Sequence, residues 1–322
     1  MDDRAGGEIA DGPNAAVDES VRLLVERLRS LAEGEAAIAD LVACGPRAVP
    51  YLRTFLLAGR ITSVPLPRVW AVEALAWLRA NDVLLEYLQT PARTHDPQLL
   101  LAEDAVKNTA ARRLGESRDE QTFQILLDLS RKRNLPGVIE SLAEFERPEA
   151  IPCLDRALED DFCRAAAEAG LRRLSVRARN ALMLSAVTPL PNAEEETPAS
   201  LSRRRSVLML LAEVGLDRKN WAELRPILDA RDPEVLVRIA RITAAVADSA
   251  DRFTVARKLV GILARLPWYL IKEAETTLEA LGPESLLPVE AELERRASNS
   301  RRAADEVFRL LLRLEDKLRR NP

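Results

Sequence analysis

The apolar positions of this chain recur with a helical beat almost from end to end. Val21, Leu24, Val25, Leu28 and Leu31 follow the i, i+3, i+4, i+7 spacing that gathers apolar groups on one side of a helix. Val307, Leu310, Leu311, Leu314 and Leu318 repeat it near the other end. From Val17 onward the pattern predicts almost continuous helix, cut into short pieces by Gly, Pro, Asn and Asp, as antiparallel pairs joined by tight turns require. Residues 1–16 are rich in Gly, Asp and Ala without an apolar period and read as a disordered acidic N-terminal tail.

The punctuation itself repeats. An apolar-Pro-x-apolar phrase opens helices at Val49-Pro50-Tyr51-Leu52, Ile151-Pro152-Cys153-Leu154, Leu287-Pro288-Val289 and, more loosely, Arg225-Pro226-Ile227-Leu228. Proline is tolerated in a first turn because the amide it lacks has no intrahelical acceptor there. A quasi-period of about 31 to 37 residues divides every interval between these prolines. A second phrase sets an apolar residue before a basic one with small residues following: Val106-Lys107 with Ala110 and Ala111, Cys163-Arg164 with Ala165 to Ala167, Val237-Arg238 with Ala240. Small residues there let neighbouring helices approach closely.

These phrases resemble those of the bacterial HEAT-like repeat family, whose helices read D-x-x-V-R-x-x-A-A-x-x-L-G and G-x-x-A-V-P-x-L. Asp104 to Gly115, Gly45 to Leu52 and Gly282 to Val289 come closest, and the likeness spans Glu35 to Arg296. The resemblance implies an all-α fold: a right-handed α-α superhelix, or solenoid, of about eight HEAT-like helix pairs with capping helices, one row lining a concave surface. Second-row helices are expected to begin near Gly45, Asp82, Arg118, Pro148, Ser175, Lys219, Asp251 and Pro283. The resemblance also implies a structural role for Arg164 and Arg238, pairing with turn acids between repeats. The pattern lapses at 188–200, where three prolines and Glu194 to Glu196 cannot continue a helix. That stretch is expected to be an exposed loop between repeats over 17–187 and repeats with a capping helix over 201–322, a hinge between domains being the alternative.

Composition agrees with helix: aromatic residues are 4% and Gly only 12 of 322, while Leu, Ala, Arg and Glu dominate. A net charge of −4 gives no global pull toward phosphate backbones, so nucleic acid is the less favoured partner class. The preference for Arg over Lys is explained by genome composition at least as well as by bidentate anion recognition. Cys44, Cys153 and Cys163, odd in number and without CxxC spacing, suggest reduced thiols and a cytoplasmic protein. The N-terminus lacks the basic start and apolar run of a secretory signal, and no stretch reaches the ~18 apolar residues of a membrane span.

Catalytic signatures are sparse. His95, the single histidine, sits in a proline-bounded polar loop with no thiol placed beside it by spacing. No metal-ligand cluster and neither GxxxxGK[ST] nor GxGxxG occurs, so no catalytic residue, metal or cofactor is predicted. Trp70 and Trp77, seven apart in an apolar helix, are both expected to face inward. Trp221 and the Trp268-Tyr269 pair, near helix starts, are better placed for exposure, although packing that staples adjacent helices is the favoured role there. The arginine runs around Arg172, Arg203 and Arg295 lie near acids and read first as local ion pairs. The candidate partner-binding residues are Arg177, Arg179, Asn180, Trp221, Arg225, Trp268 and Tyr269. On this reading the chain is a non-catalytic scaffold or adaptor holding a protein partner on a concave helix row. Its rivals are a HEAT-like DNA-binding protein or glycosylase gripping duplex DNA in an Arg-lined groove, and a chromophore-lyase-like or chaperone-like member.

Overall fold

A computed structural model describes residues 13–297 and 306–320, and among these the chain forms helices and no strand. Contacts divide it into two compact units that meet in sequence at Glu146 and Arg147. The first unit holds α1 (Pro13–Arg27), α2 (Gly34–Ala43), α3 (Val49–Leu57), α4 (Leu66–Trp77), α5 (Asn81–Gln89), α6 (Pro97–Gly115), α7 (Glu120–Lys132) and α8 (Pro136–Phe145). The second holds α9 (Ile151–Ala157), α10 (Arg164–Leu174), α11 (Arg179–Val187), α12 (Pro198–Val214), α13 (Arg218–Leu224), α14 (Pro233–Val246), α15 (Ser249–Ile262), α16 (Trp268–Leu281), α17 (Leu286–Ala297) and α18 (Glu306–Arg320).

Each expected second-row start falls at an odd-numbered helix from α3 to α17, or at the 3-10 turn leading into it. Those turns are the sequence phrase made visible. At Gly45–Ala48, Pro148–Ala150 and Gly282–Ser285 the chain tightens into 3-10 geometry and then relaxes into the α-helix that carries Pro50, Pro152 or Pro288. Side-chain caps set other starts: Asp96, Asp119, Thr197, Asp232 and Asp248 each accept from a first-turn backbone N–H.

Within the first unit α2, α4, α6 and α8 pack in succession, and α1, α3, α5 and α7 form a second succession beside them. In the second unit α10, α12, α14, α16 and α18 do the same, with odd-numbered helices alongside. Close approach explains where small residues are obligatory. A Cβ on Gly137 of α8 would stand 2.3 Å from the Asn108 carbonyl oxygen of α6, and one on Gly34 would stand 2.2 Å from the Trp70 ring. Ala110 and Ala111 are wholly buried on α6.

A recurring electrostatic device closes the helix pairs. Arg93 donates to the Ala58 and Gly59 carbonyls beyond α3, Lys107 to Leu88 and Thr90 at the end of α5, Arg164 to Leu158 beyond α9, and Arg204 to Ala186 in the last turn of α11. A cation there satisfies carbonyls that the helix leaves unpaired and meets the negative end of its dipole. Arg164 also pairs with the turn acid Asp161, as the resemblance implies. Arg238 instead pairs with Glu234 one turn back in its own helix. The link between repeats at this level is Arg205 of α12, which reaches Asp232 at 2.6 Å and Glu234 at 3.4 Å at the start of α14.

One expectation needs revision, at Trp77. Trp70 is buried, but Trp77 is 68% exposed: it is the last residue of α4, and the chain turns away at Arg79 with φ of 55° before another helix covers it. The stretch over 188–200 does not separate the two units but lies inside the second. It is pinned there, because Asn192 donates to the Asp229 carbonyl and accepts from the Arg231 N–H, Arg203 donates to the Thr188 carbonyl, and Arg204 pairs with Glu196. The predicted tail over 1–16 lies outside the described residues except for its last four, which belong to α1. No helix among the described residues is long and apolar enough to cross a membrane.

Candidate functional site

The seven residues singled out from sequence differ in exposure and in partners. Arg177 and Asn180 are exposed around the start of α11, with Arg179 half-buried between them and its Nε without a hydrogen-bond partner among the described residues. Trp221, a candidate for exposure whose favoured role is packing, is buried at 6% and donates from Nε1 to Asp251 Oδ2 at 2.8 Å. Arg225 donates from Nε to the other oxygen of the same carboxylate at 3.0 Å. The two therefore form a strut from α13 and the 3-10 turn after it to the first turn of α15, its tryptophan buried and its arginine on the solvent side. Trp268 and Tyr269 are exposed, at 84% and 55%, and stand edge to face with ring centroids 6.1 Å apart.

Six arginines of the predicted clusters are taken up by acids or carbonyls, Arg204 by the Ala186 carbonyl. Arg172 pairs with Glu213, Arg203 with Glu159, Arg205 with Asp232, and Arg295 and Arg296 with Glu292. Burial would push the Asp232 carboxyl up, but its bonds from Arg205 and the Val235 N–H hold it below the usual carboxylate range, as expected of a fixed structural pair.

A different set of cations is left over. Arg231, just before α14, and Arg257 and Arg265, on α15 and the 3-10 turn that follows it, are exposed and carry no ion pair among the described residues. All three line one cleft of about 670 Å³, whose floor is aliphatic: Pro233, Leu236 and Ile262. Lys258 lines it too, with its ammonium tied to the Leu228 carbonyl and to Asp229, the only carboxylate among the lining residues. Gly261 leaves the middle of the α15 wall open, since a Cβ there would meet nothing within 4 Å.

The local reasons for this geometry are readable. Arg257, Gly261 and Arg265 are spaced i, i+4, i+8, which places them along one stripe of a helical segment. Arg231 is brought opposite by the turn between the 3-10 segment Arg225–Asp229 and α14, whose backbone Asn192 fixes through the Arg231 N–H and the Asp229 carbonyl. Unpaired guanidinium groups around an apolar floor favour an oxyanion attached to an apolar body, because each presents several donors in a fixed fork. Among the described residues no group of three His, Cys, Asp or Glu side chains is placed to hold a metal ion.

No protein-family model matches the chain, and no curated protein matches it. Among solved structures it aligns with human deoxyhypusine hydroxylase in complex with glycerol, at 18% identity over 84% of this chain and 99% of that one, with a TM-score of 0.26. The expectation of a non-catalytic scaffold, with its duplex-gripping alternative, is corrected here. The aligned protein is named as an enzyme and not as a scaffold, and neither role has support beyond the sequence resemblance. At this identity and TM-score the likeness carries no argument for hydroxylase chemistry in this chain.

Proposed function

We propose that this chain is an anion-recognition protein built from HEAT-type helix pairs in a right-handed superhelix, and that the cleft between α14 and α15 captures an acidic group. The observation that carries the reading is the contrast between paired and unpaired arginines. From the runs in the sequence, Arg172, Arg203, Arg204, Arg205, Arg295 and Arg296 each have an acid or a carbonyl. Arg231, Arg257 and Arg265, none of them adjacent in sequence, share one cleft and have none among the described residues.

Exposed guanidinium groups cost little to leave in water, so their convergence is no stability device; an incoming carboxylate or phosphate supplies the missing partner. A hydrogen bond to a charged group contributes about 1.5–3 kcal/mol. Trp268 and Tyr269, which begin α16 three residues after Arg265, add an aromatic contact beside the cleft in this reading. Arg177, Arg179 and Asn180 are not part of it.

The test is a titration of the full chain with fluorescently labelled acidic probes, in parallel with the R257Q/R265Q variant. The wild type is expected to bind with an affinity that falls as salt rises, and the variant to bind about tenfold or more weakly, with its melting curve unchanged. Equal binding of every anion by wild type and variant overturns the proposal.

A further inference from the structure

We infer that the cleft is one half of a longer groove for an acidic peptide segment in which carboxylates alternate with apolar side chains; this rests on the anion-recognition reading above. The second half is a cavity of about 290 Å³ on the other side of the 3-10 turn Leu263–Arg265. Leu263, Ile271 and Leu310 give it an aliphatic wall, and Arg309 and Arg313, one turn apart on α18, stand at it. Both arginines are exposed and carry no ion pair among the described residues. Glu306 is the one carboxylate among its lining residues, as Asp229 is in the cleft, so each half keeps an excess of positive charge.

Ile262 and Arg265 line the cleft while Leu263 lines the cavity, so the dividing wall is a single helical turn. A helical segment with its side chains is about 10–12 Å across. An extended peptide advances about 3.3 Å per residue, so three or four residues bridge the wall with a side chain seated on each side. A lone phosphate cannot reach both halves. A polyphosphate or a sugar-phosphate chain reaches both but offers nothing to the aliphatic floors, which Pro233, Leu236 and Ile262 form on one side and Leu263, Ile271 and Leu310 on the other. Aliphatic side chains spaced between carboxylates satisfy floors and rims together.

The experiment is fluorescence anisotropy on the full chain with two synthetic peptides of about ten residues, one alternating Glu and Leu and one alternating Glu and Gly. Tripolyphosphate and a single-stranded oligothymidylate serve as competitors. The Glu/Leu peptide is expected to lose about tenfold or more in affinity in both R257Q/R265Q and R309Q/R313Q. The Glu/Gly peptide is expected to bind more weakly from the start and to respond chiefly to R257Q/R265Q. If R309Q/R313Q stays within about twofold of wild type while R257Q/R265Q does not, the two-part groove is overturned and the single anion site stands. If neither variant changes binding, or no probe binds, both readings fail. Displacement of the Glu/Leu peptide by the oligonucleotide at lower concentration than by unlabelled peptide overturns the peptide assignment.

Discussion

Trp221 donates its indole hydrogen to Asp251 at 2.8 Å, joining α13 to the first turn of α15 through a carboxylate that is itself 5% exposed. Arg225 holds the other oxygen from the solvent side. Trp221→Phe keeps most of the apolar contact and removes one donor from a buried carboxylate. The expected cost is about 1–3 kcal/mol in denaturant unfolding. Binding of acidic probes to the Arg257–Arg265 cleft is expected to be unchanged at temperatures where the variant is folded. A matching loss of affinity in the folded variant would mean that the strut sets the cleft's geometry.

The first unit carries its own buried ionic centre. Arg68 of α4, at 5% exposure, pairs with Glu103 of α6 and donates to the Leu56 carbonyl at 2.7 Å, while the Tyr87 hydroxyl of α5 donates to Glu103 at 2.6 Å. Burial pushes the Tyr87 phenol well above its ordinary range, so it serves as a donor at all physiological pH. Glu103→Ala leaves a buried guanidinium with carbonyl contact only and is expected to cost about 3–5 kcal/mol. Replacing both partners, as R68M/E103L, is expected to recover a large part of that loss. A double variant as unstable as the single one would show that the pair contributes far more than its desolvation removes.

How much of this was legible beforehand depends on whether the signal is local. The eight expected second-row starts followed from local punctuation, proline and glycine at some and Asn, Asp or Ser at others, because a turn is specified by the few residues that make it. The arginine runs read first as ion pairs, and ion pairs form, but several of the acids come from elsewhere in the fold. Arg203, Arg204 and Arg205 are adjacent in sequence, yet successive residues on a helix point about 100° apart, so each meets a different neighbour: Glu159, the carbonyls after α11, and Asp232. The free arginines of the cleft come from positions 231, 257 and 265, which only tertiary packing brings together. The Arg257–Gly261–Arg265 stripe was the available hint. Trp77 shows the same limit, since its spacing from Trp70 fixes the helix face but not where the covering helix ends.

Asp155 gives a pH-dependent test. It is half-buried on α9, and burial pushes its carboxyl above the usual range, outweighing the nearby Ser185 hydroxyl and Arg203. An acid whose folded value is raised disfavours the folded state while ionised, and that penalty is released as pH falls through the raised value toward the ordinary carboxyl range. Asp155→Asn is therefore expected to melt higher than wild type at pH 7, with the difference shrinking to nothing near about pH 3, where both side chains are neutral. A variant that melts lower at pH 7 would show that the carboxylate's contacts outweigh its burial.

Gly261 separates stability from binding. A side chain there projects into the open cleft between Arg257 and Arg265, where a Cβ meets no atom within 4 Å, so Gly261→Leu creates no clash in the free protein. Glycine is the poorer helix former, so the variant is expected to be as stable as wild type or more so, by up to about 1 kcal/mol. The same leucine occupies the volume an acidic ligand needs and covers the aliphatic floor formed by Pro233, Leu236 and Ile262. Affinity for acidic probes is therefore expected to fall about tenfold or more while the melting temperature holds or rises. Charge is untouched by this change, so a binding loss cannot be assigned to weaker long-range attraction; it reports the cleft itself. Retained affinity would place the anion on the arginine side chains outside the cleft and would remove the aliphatic floor from the recognition argument.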